Sequence, residues 1–315
     1  MIKKEHIINN CPTPMRLDRY IKLEKPSLTH ALIEKTIRKG LIRVNNKKAK
    51  SNDRIKNNDI IEYRIEFKIE DQKEDRPVSA YTIELAAKIL NEYRIFDSDE
   101  FMVINKPSGI SSQGGTKVKF AIDDALSYLN KKFFSTNKIH EGFRLVHRLD
   151  KDTSGVFLIA KNRTAATKLA KAFEDKIITK KYLAIVDGKP KKESGTITNY
   201  LIKDGYKQIQ KISIKGDYAE TDYKLLGTAK KTSLILFMPK TGRMHQLRVH
   251  AQGLGCPIVG DTKYGASDKN MSEFCLHAYE LEIPQEVFGE AFKFRAELPK
   301  MFEIEINKNF NNIKI

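Results

Sequence analysis

The sequence is poor in cysteine, lacks tryptophan and has no long apolar segment. Its 315 residues include three widely spaced cysteines, Cys11, Cys256 and Cys275. The absence of a CxxC pair argues against a zinc ribbon, and an odd number of cysteines is typical of a reducing compartment. The longest apolar runs are only as long as a strand, and the charged amino terminus lacks a signal-peptide core. We therefore expect a cytoplasmic protein without a membrane span.

Acidic residues and arginine are both scarce beside lysine. The chain has 57 Lys and Arg against 40 Asp and Glu, a net charge of +17, and only 14 of the basic residues are arginine. Such an excess is typical of a protein that binds a polyanion, most often nucleic acid, although a lysine-rich proteome gives the same composition. Arginine offers a planar fork for carboxylate or phosphate. Four arginines lie in two short segments, which makes these segments candidates for a site: Arg144, Arg148, Arg243 and Arg248.

The chain is long for one core, and its pattern changes part-way along. Residues 16–64 are typical of two short helices, the second capped by Ser27 or Thr29, followed by a strand that turns at Asn45-Asn46 and a further strand. Residues 66–76 are dense in charge of both signs, and residues 80–92 favour a helix leading onward. From about residue 93, strands alternate with helices. We therefore predict a first domain at 1–75, a linker at 76–92 and a second domain at 93–315.

Basic residues cluster in the first domain between Lys35 and Lys56, where Asp53 is the single acid. This clustering on a helix, turn and strand predicts a surface that follows nucleic-acid phosphates, and the alternative is an ordinary solvated face. The candidate RNA contacts in this window are Lys35, Arg38, Lys39, Arg43, Lys47 and Lys48.

Two segments of the second domain join an apolar strand to unusual polar residues. INKPSGISSQGG, at 104–115, ends a strand with Lys106 but lacks the GxxxxGKS of a nucleotide-binding loop. VHRLDKDTSG, at 146–155, places Asp150 between an apolar residue and a Thr-Ser-Gly turn. That aspartate either faces a cleft or caps the turn, and the segment alone does not decide. A metal site formed by His147 and Asp150 lacks a third ligand at a convincing spacing.

Two later segments carry an aromatic and several cationic side chains. KKYLAIVDG, at 180–188, begins an apolar strand with Tyr182, which is either half-buried core or a platform on which a flipped base stacks. PKTGRMHQLRVHAQGLGCPIVGDTKYG, at 239–265, alternates like a strand and places His245 and Gln246 on opposite faces. Arg248 is suited to pair with a buried carboxylate, and Arg243 to hold a phosphate.

Together these segments resemble a known family. HRLDKDTSG resembles the central motif of the RluA family of pseudouridine synthases, and INKPSG, KKY and TGRMHQLRVH…GCPIVGDTKYG resemble its other segments, in the same order, over about residues 95–265. RLDRYI, from residue 16, resembles the opening of an S4 RNA-binding module. The combination is most similar to the branch that modifies large-subunit ribosomal RNA, although Gln113 stands where many relatives have histidine.

The resemblance implies an α+β protein with a small S4 module followed by a catalytic domain, whose mixed, mostly antiparallel sheet is flanked by helices. It implies an isomerase that converts uridines of 23S ribosomal RNA to pseudouridine by flipping the base, breaking the N1–C1′ bond and rejoining C1′ to C5. No cofactor or metal is implied, and a monomer is expected. The alternatives are a catalytically silent RNA-binding ribosome assembly factor and a base glycosylase, which needs an activated water and a second carboxylate.

The resemblance also implies roles for single residues. The essential aspartate of the motif falls on Asp150, with Arg248 as its ion-pair partner. Tyr182 is expected to stack on the flipped uracil and to assist removal of the C5 proton. Arg148 is expected to enter the RNA helix near the vacated base site, and Lys106 to support the pocket from beneath. Arg148, Lys106 and Arg243 are therefore added to the candidate RNA contacts. Whether Asp150 attacks C1′ or removes a proton from C2′ stays open.

Overall fold

The protein contains two compact units, Met1–Pro77 and Val78–Ile315. The computed structural model describes residues 4–9, 11, 14–25, 28–67, 78–114, 118, 120–134, 141–204, 210–265 and 273–310. Most of the charge-dense stretch at 66–76 and the candidate cap Ser27 lie outside the described residues.

The first unit is a small α+β module built on two helices and short strands. Its elements are β1 (Lys4–Ile7), β2 (Met15–Arg16), α1 (Leu17–Glu24), α2 (His30–Arg38), β3 (Ile42–Val44), β4 (Lys47–Lys48), β5 (Arg54–Ile55) and β6 (Ile60–Tyr63). One sheet has the order β1-β6-β3-β4, and β2 pairs with β5. Leu17, Ile21, Ile33 and Ile37 form the core between the two helices and the sheet.

Two local predictions in the first unit are confirmed. Thr29 caps α2, because its hydroxyl accepts a hydrogen bond from the backbone N–H of Leu32 at 3.2 Å. β3 and β4 are joined through Asn45 and Asn46, whose φ angles are 49° and 65°. Asparagine tolerates this left-handed conformation, which a two-residue hairpin turn of this type requires at both positions.

The second unit is built on a single large sheet. Its elements are α3 (Ala80–Asn91), β7 (Arg94–Asp97), β8 (Phe101–Lys106), α4 (Ile122–Phe133), β9 (Glu141–Leu145), β10 (Ser154–Asn162), α5 (Arg163–Glu174), β11 (Thr179–Asp187), β12 (Ser194–Lys203), β13 (Gln210–Ile212), β14 (Asp217–Thr228), β15 (Thr232–Pro239), α6 (Gln246–Gly253), β16 (Leu276–Ile283), α7 (Gln285–Phe288), β17 (Phe292–Arg295) and α8 (Lys300–Asn309). Within the described ranges, eleven strands form this sheet, in the order β13-β12-β14-β15-β11-β16-β10-β8-β7, with β9 on β10 and β17 on β16.

The sheet is mixed and mostly antiparallel, as the resemblance implied. β10 and β16 run parallel, and the other strand pairs are antiparallel. Phe157 and Ile159 of β10 face the cluster that contains α3 and α4, whereas Leu158 faces the cluster that contains α5. Because β10 is buried on both faces, its sequence is a continuous apolar run and does not alternate.

Most of the predicted linker at 76–92 belongs to the second unit instead. α3 occupies Ala80–Asn91 and begins at Ser79, whose hydroxyl accepts a hydrogen bond from the backbone N–H of Thr82 at 3.1 Å. Leu85, Ala86 and Ile89 form one face of α3 and are buried in the core with α4. A segment that contributes three buried apolar side chains to a core does not act as a linker. Residues 76 and 77 lie outside the described residues.

The strand predicted around Gln246 is wrong, since residues 246–253 form α6. Six consecutive residues of this helix, from Gln246 to Ala251, are buried. A helix that is buried on nearly all sides lacks the apolar stripe that identifies a surface helix. Polar and apolar residues alternate in this segment, and without such a stripe the alternation predicted a strand.

The buried carboxylate of Glu280 predicts that the free energy of unfolding falls at acidic pH. Glu280 of β16 is 3% exposed and accepts hydrogen bonds from Lys181 at 2.5 Å and Arg295 at 2.6 Å, with Lys293 at 3.1 Å. Burial alone would raise the pKa of Glu280, but the hydrogen bonds from these three cations lower it to about 2 from an ordinary 4.5.

Because the folded pKa lies below the unfolded one, this contribution to stability is present above pH 4.5 and is lost as the pH falls toward 2. We expect Glu280→Gln to flatten the pH dependence of the unfolding free energy in that range, measured by chemical denaturation. Glu282→Gln, a change of the half-exposed neighbouring acid, serves as the control. Parallel curves for the wild type and Glu280→Gln would contradict this account of acid sensitivity.

Candidate active site

Asp150 lies between β9 and β10 at the edge of an open pocket. Its side chain is 25% exposed, and the pocket, of about 510 Å³, is also lined by Arg148, Tyr182, Arg243, His245 and Arg248. A wider cleft of about 2240 Å³ shares several of these residues. The structure therefore brings together the three predicted catalytic residues, Asp150, Tyr182 and Arg248, although they are far apart in the sequence.

The register of the sheet explains why Asp150 and Tyr182 meet. Ala278 of β16 pairs with Gly155 of β10 on one side and with Tyr182 of β11 on the other. Gly155 has φ 114°, and a Cβ atom there would lie 2.2 Å from the carbonyl oxygen of Ala278. Only glycine permits β10 to approach β16 this closely, so Gly155 sets the spacing between these two strands. Asp150 lies just before β10 and Tyr182 lies on β11, the other neighbour of β16, so this spacing helps to bring both side chains to one pocket.

The loop after β8 fixes the backbone on which Asp150 lies. The hydroxyl of Ser112 donates to the carbonyl oxygen of Leu149 at 2.7 Å and accepts from the N–H of Leu149 at 3.0 Å. The hydroxyl of Ser108 donates to the carbonyl oxygen of Asp152 at 2.7 Å. The backbone is therefore held on both sides of Asp150, and the carboxylate of Asp150 stays open to the pocket.

Lys106 is a buried support for this turn and not an RNA contact. Its ammonium group donates to the carbonyl oxygens of Pro107 at 3.0 Å, Ile110 at 2.8 Å and Lys151 at 3.1 Å. The side chain is fully buried, and burial lowers its pKa to about 7. The assignment of Lys106 to the RNA-binding residues is therefore wrong, because no part of it is exposed to a ligand.

Arg248 contacts two carboxylates, of which only Asp150 was predicted from the sequence. Its Nε and Nη2 donate to Asp261 at 2.8 and 2.6 Å, whereas its Nη1 lies 3.7 Å from Oδ2 of Asp150. Burial alone would lower the pKa of Arg248, but the hydrogen bond and charge of Asp261 raise it above its ordinary value. Arg248 is thus anchored by Asp261 and presents its third nitrogen to Asp150.

Asp261 is held as firmly as the arginine that it anchors. It is 4% exposed and also accepts from the backbone N–H groups of Lys263 at 2.9 Å and Tyr264 at 3.1 Å. Burial raises its pKa, but the hydrogen bonds from Arg248 outweigh this effect and lower it. The rings of Tyr264 and Phe274 lie about 5 Å from the Arg248 guanidinium and complete its surroundings.

Tyr182 presents an aromatic ring to the pocket from β11. The ring is half-buried and packs against two of the core clusters. Burial, reinforced by the charge of Asp150, raises the pKa of Tyr182 well above its ordinary value of 10. The phenol therefore keeps its proton at neutral pH, and its apolar face is suited to stack on a planar ligand.

Arg243 and Arg148 are the exposed cations of the pocket rim. The turn before α6 is held by Gln246, whose side-chain oxygen accepts from the hydroxyl of Thr241 at 2.7 Å and from the N–H of Arg243 at 2.9 Å. Nε of Arg243 donates to the carbonyl oxygen of Tyr218 at 3.0 Å, and the residue is exposed, as is Arg148. These two arginines are placed to meet an anionic ligand that enters the pocket.

His147 of the central motif is a structural residue. Its Nε2 accepts from the backbone N–H of Leu158 at 2.8 Å, and its ring lies between Phe157 and Phe173. Burial lowers the pKa of His147 to about 3. Its accepting nitrogen is already occupied, so the structure gives no support to a metal site formed with Asp150.

Residues 100–253 match the family described as RNA pseudouridylate synthase, and residues 15–61 match the S4 domain. A curated relative named ribosomal large subunit pseudouridine synthase C, from Rickettsia typhi, is 42% identical over 93% of this chain and 97% of its own. The chain belongs to the RNA pseudouridylate synthase family.

Further comparisons support the membership of this chain in the RNA pseudouridylate synthase family. A relative of the same name from Haemophilus influenzae is 33% identical over 93% of this chain and 91% of its own. The solved structure of human RNA pseudouridylate synthase domain containing 4 is similar with a TM-score of 0.61 and 27% identity, over 72% of this chain and 96% of that one. The predicted fold class, an S4 module followed by a pseudouridine synthase domain, is thereby confirmed.

The S4 domain carries the predicted basic surface. Lys35, Arg38 and Lys39 are exposed on and after α2, and Lys47 and Lys48 are exposed on β4. Arg43 differs, because it is half-buried on β3 and its Nη1 donates to the carbonyl oxygen of Asn46 at 3.2 Å. Five of the six candidates are thus free to meet phosphates.

No helix in the part of the chain that the structure describes is long and apolar enough to cross a membrane.

Proposed function

We propose that this protein converts specific uridines of large-subunit (23S) ribosomal RNA to pseudouridine, in the cytoplasm and as a monomer. The observation that carries the proposal is the assembly of Asp150, Tyr182 and Arg248 around one pocket. The ribosomal substrate is supported by the names of the relatives that match nearly the whole chain.

Base flipping is the first step that the proposal requires. A uracil within folded RNA reaches Asp150 only when it leaves its stack, which costs a few kcal/mol. Stacking on the ring of Tyr182 compensates for part of that cost, since a base on an aromatic side chain contributes about 1–3 kcal/mol. Arg148, exposed at the rim, is proposed to fill the position that the base vacates, and Arg243 to bind a neighbouring phosphate.

Asp150 then acts on the sugar. Its carboxylate either attacks C1′ or removes a proton from C2′, and in both cases the N1–C1′ bond breaks with its electron pair remaining on the uracil. Arg248 supplies a fixed counterion 3.7 Å away, and because Asp261 already balances the charge of Arg248, the three groups together carry one negative charge. The released uracil rotates and C5 bonds to C1′, while the bond between Asp150 and C1′ breaks or, in the other mechanism, Asp150 returns its proton to C2′. The C5 proton then passes to water, and Tyr182 is proposed to assist this transfer.

A catalytically silent assembly factor was the alternative. That role is expected of a chain that has lost one of the three pocket residues, whereas all three are present and lie in the pocket. No observation favours the silent factor.

Release of the C5 hydrogen tests the proposal directly. We would incubate the protein with large-subunit ribosomal RNA transcribed with C5-tritiated uridine. Tritium should appear in the water up to a small, fixed number of equivalents per RNA, without release of free uracil. Free uracil would indicate a glycosylase, and the absence of tritium release would contradict the proposed reaction on this RNA.

The basic surface of the S4 domain predicts how the affinity for RNA depends on salt. Replacing Lys35, Lys39, Lys47 and Lys48 with glutamine should lower the slope of log affinity against log salt by about 3, since each lost phosphate contact removes about 0.7–0.9. A matched variant replaces four exposed lysines of the catalytic unit, Lys191, Lys192, Lys230 and Lys231. Equal slopes for the two variants would show that the S4 lysines contribute only general charge.

A further inference from the structure

His245 has an unusual backbone and an unexplained place in the pocket. It immediately precedes α6 with φ 54° and ψ 18°, the left-handed region that a non-glycine residue seldom adopts. The residue is 9% exposed, and the surface that remains lines the same pocket as Asp150, Tyr182 and Arg248. Neither the proposed base flipping nor the proposed cleavage and rejoining of the glycosidic bond uses this side chain.

Tyr264 determines which nitrogen of His245 carries the proton. The Tyr264 hydroxyl oxygen accepts from the backbone N–H of Gln210 at 2.6 Å and lies 2.8 Å from Nδ1 of His245. Within the described residues, the phenolic proton has no other acceptor, so Nδ1 accepts it. In the neutral ring the other nitrogen, Nε2, is then the N–H donor.

The Nε2 donor is open to the pocket. No described residue forms a hydrogen bond with Nε2, and this atom is not among the buried, unpartnered polar atoms of the described structure, which are Nε of Arg43 and Nδ1 of His250. Burial also lowers the pKa of His245, which keeps the ring neutral at pH 7 despite the nearby charge of Asp150. The ring therefore offers one uncharged donor without neutralising the catalytic carboxylate.

We propose that His245 contacts the substrate directly, with its Nε2–H donating a hydrogen bond to an exocyclic carbonyl oxygen of the flipped uracil. The inference rests on the proposed function and deepens it. Uracil presents acceptors at both O2 and O4, whereas cytosine presents an amino donor at C4. When the N1–C1′ bond breaks, the electron pair left on the base is shared with these oxygens. The hydrogen bond is then stronger in the transition state than in the bound substrate, which makes His245 a catalytic residue.

Two substitutions separate the donor from the shape of the ring. His245→Phe keeps a planar ring without the donor, and we expect it to lower kcat about 10²-fold with little change in KM, the scale of losing one donor to a developing negative charge. His245→Asn keeps an N–H donor on a residue that tolerates the left-handed conformation, and it should recover part of the loss. Thermal unfolding of each variant monitors its fold.

Sulfur substitution in the RNA identifies the atom that is contacted. We would place 2-thiouridine or 4-thiouridine at the target position of a short RNA and measure the isomerised nucleoside after nuclease digestion. For the wild type, one of the two sulfur substitutions should lower kcat about as much as His245→Phe does. In His245→Phe the same substitution should have no further effect, because both changes remove one hydrogen bond.

A variant of Tyr264 tests the tautomer and remains informative if His245→Phe does not fold. Tyr264→Phe removes the proton that Nδ1 accepts, so part of the population should place its proton on Nδ1, and the sulfur effect should shrink. Sulfur penalties that are equal in wild type, His245→Phe and Tyr264→Phe at both positions would overturn the inference, as would full activity of His245→Phe. A wild-type enzyme inactive on the unmodified RNA would instead overturn the proposed function itself.

Discussion

Asp150→Asn is expected to lower the rate of pseudouridine formation by at least about 10⁴-fold, the scale of losing a catalytic nucleophile or base. Asparagine has nearly the same shape, but its amide neither attacks C1′ nor accepts a proton from C2′. Asp150 is partly exposed, and its backbone is held by Ser112 and Lys106 through Leu149 and Lys151, so the fold should be unaffected. The measurement is tritium release under single-turnover conditions, together with RNA affinity, which should change little.

The same turn provides a matched control for this variant. Asp152 lies two residues further on, is exposed, and enters the hydrogen-bond network through its backbone carbonyl oxygen, which accepts from Ser108. Asp152→Asn removes the same charge and should retain near wild-type activity. Clear residual turnover by Asp150→Asn, or an equal loss in Asp152→Asn, would refute the role assigned to Asp150.

Asp261→Asn should reduce both stability and activity. The substitution leaves the buried guanidinium of Arg248 without its bidentate partner, and breaking a buried ion pair by removing one side costs about 3–5 kcal/mol. The asparagine side-chain oxygen can still accept from Lys263 and Tyr264, so the turn is preserved. Arg248 would then shift toward Asp150, its nearest other carboxylate, and the free energy of unfolding from chemical denaturation should fall by that amount.

A double variant separates the two effects of Asp261. In Arg248→Met with Asp261→Asn no buried charge is left unpaired, so much of the lost stability should return. Activity should not return, because Asp150 then has no counterion. If Asp261→Asn is as stable as the wild type, or if the double variant is as active as the wild type, the ion-pair arrangement proposed for Arg248 is incorrect.

The sequence predicted those parts of the fold that depend on neighbouring residues. The turn at Asn45-Asn46, the Thr29 cap and the apolar strand β10 follow from local chemistry, and each is present. The domain to which the predicted helix α3 belongs and the secondary structure of α6 were misjudged for one reason, which is that burial comes from distant elements. α3 buries one face against α4, some 40 residues later, and a local pattern does not identify that partner. α6 is buried over six consecutive residues, so its sequence lacks the apolar stripe of a surface helix.

The sequence predicted the chemically distinctive residues of the site but not all the roles of the buried residues that hold them in place. The resemblance selected Asp150, Tyr182 and Arg248, and the fold brings them to one pocket. Asp261 was missed because an aspartate in GDTKYG is equally typical of a turn cap, and it does cap that turn. Lys106 was misassigned because sequence does not distinguish a buried lysine from an exposed one. Both errors concern burial, which local sequence encodes weakly.

A pseudouridine map of large-subunit ribosomal RNA tests the central claim most directly. The map would be compared among cells with the intact protein, cells without it, and cells that carry only Asp150→Asn, with Asp152→Asn as the matched control. The account predicts that a small, fixed set of pseudouridines disappears in both defective strains and persists in the control. An unchanged map in the strain without the protein would contradict the proposal that this enzyme modifies large-subunit ribosomal RNA.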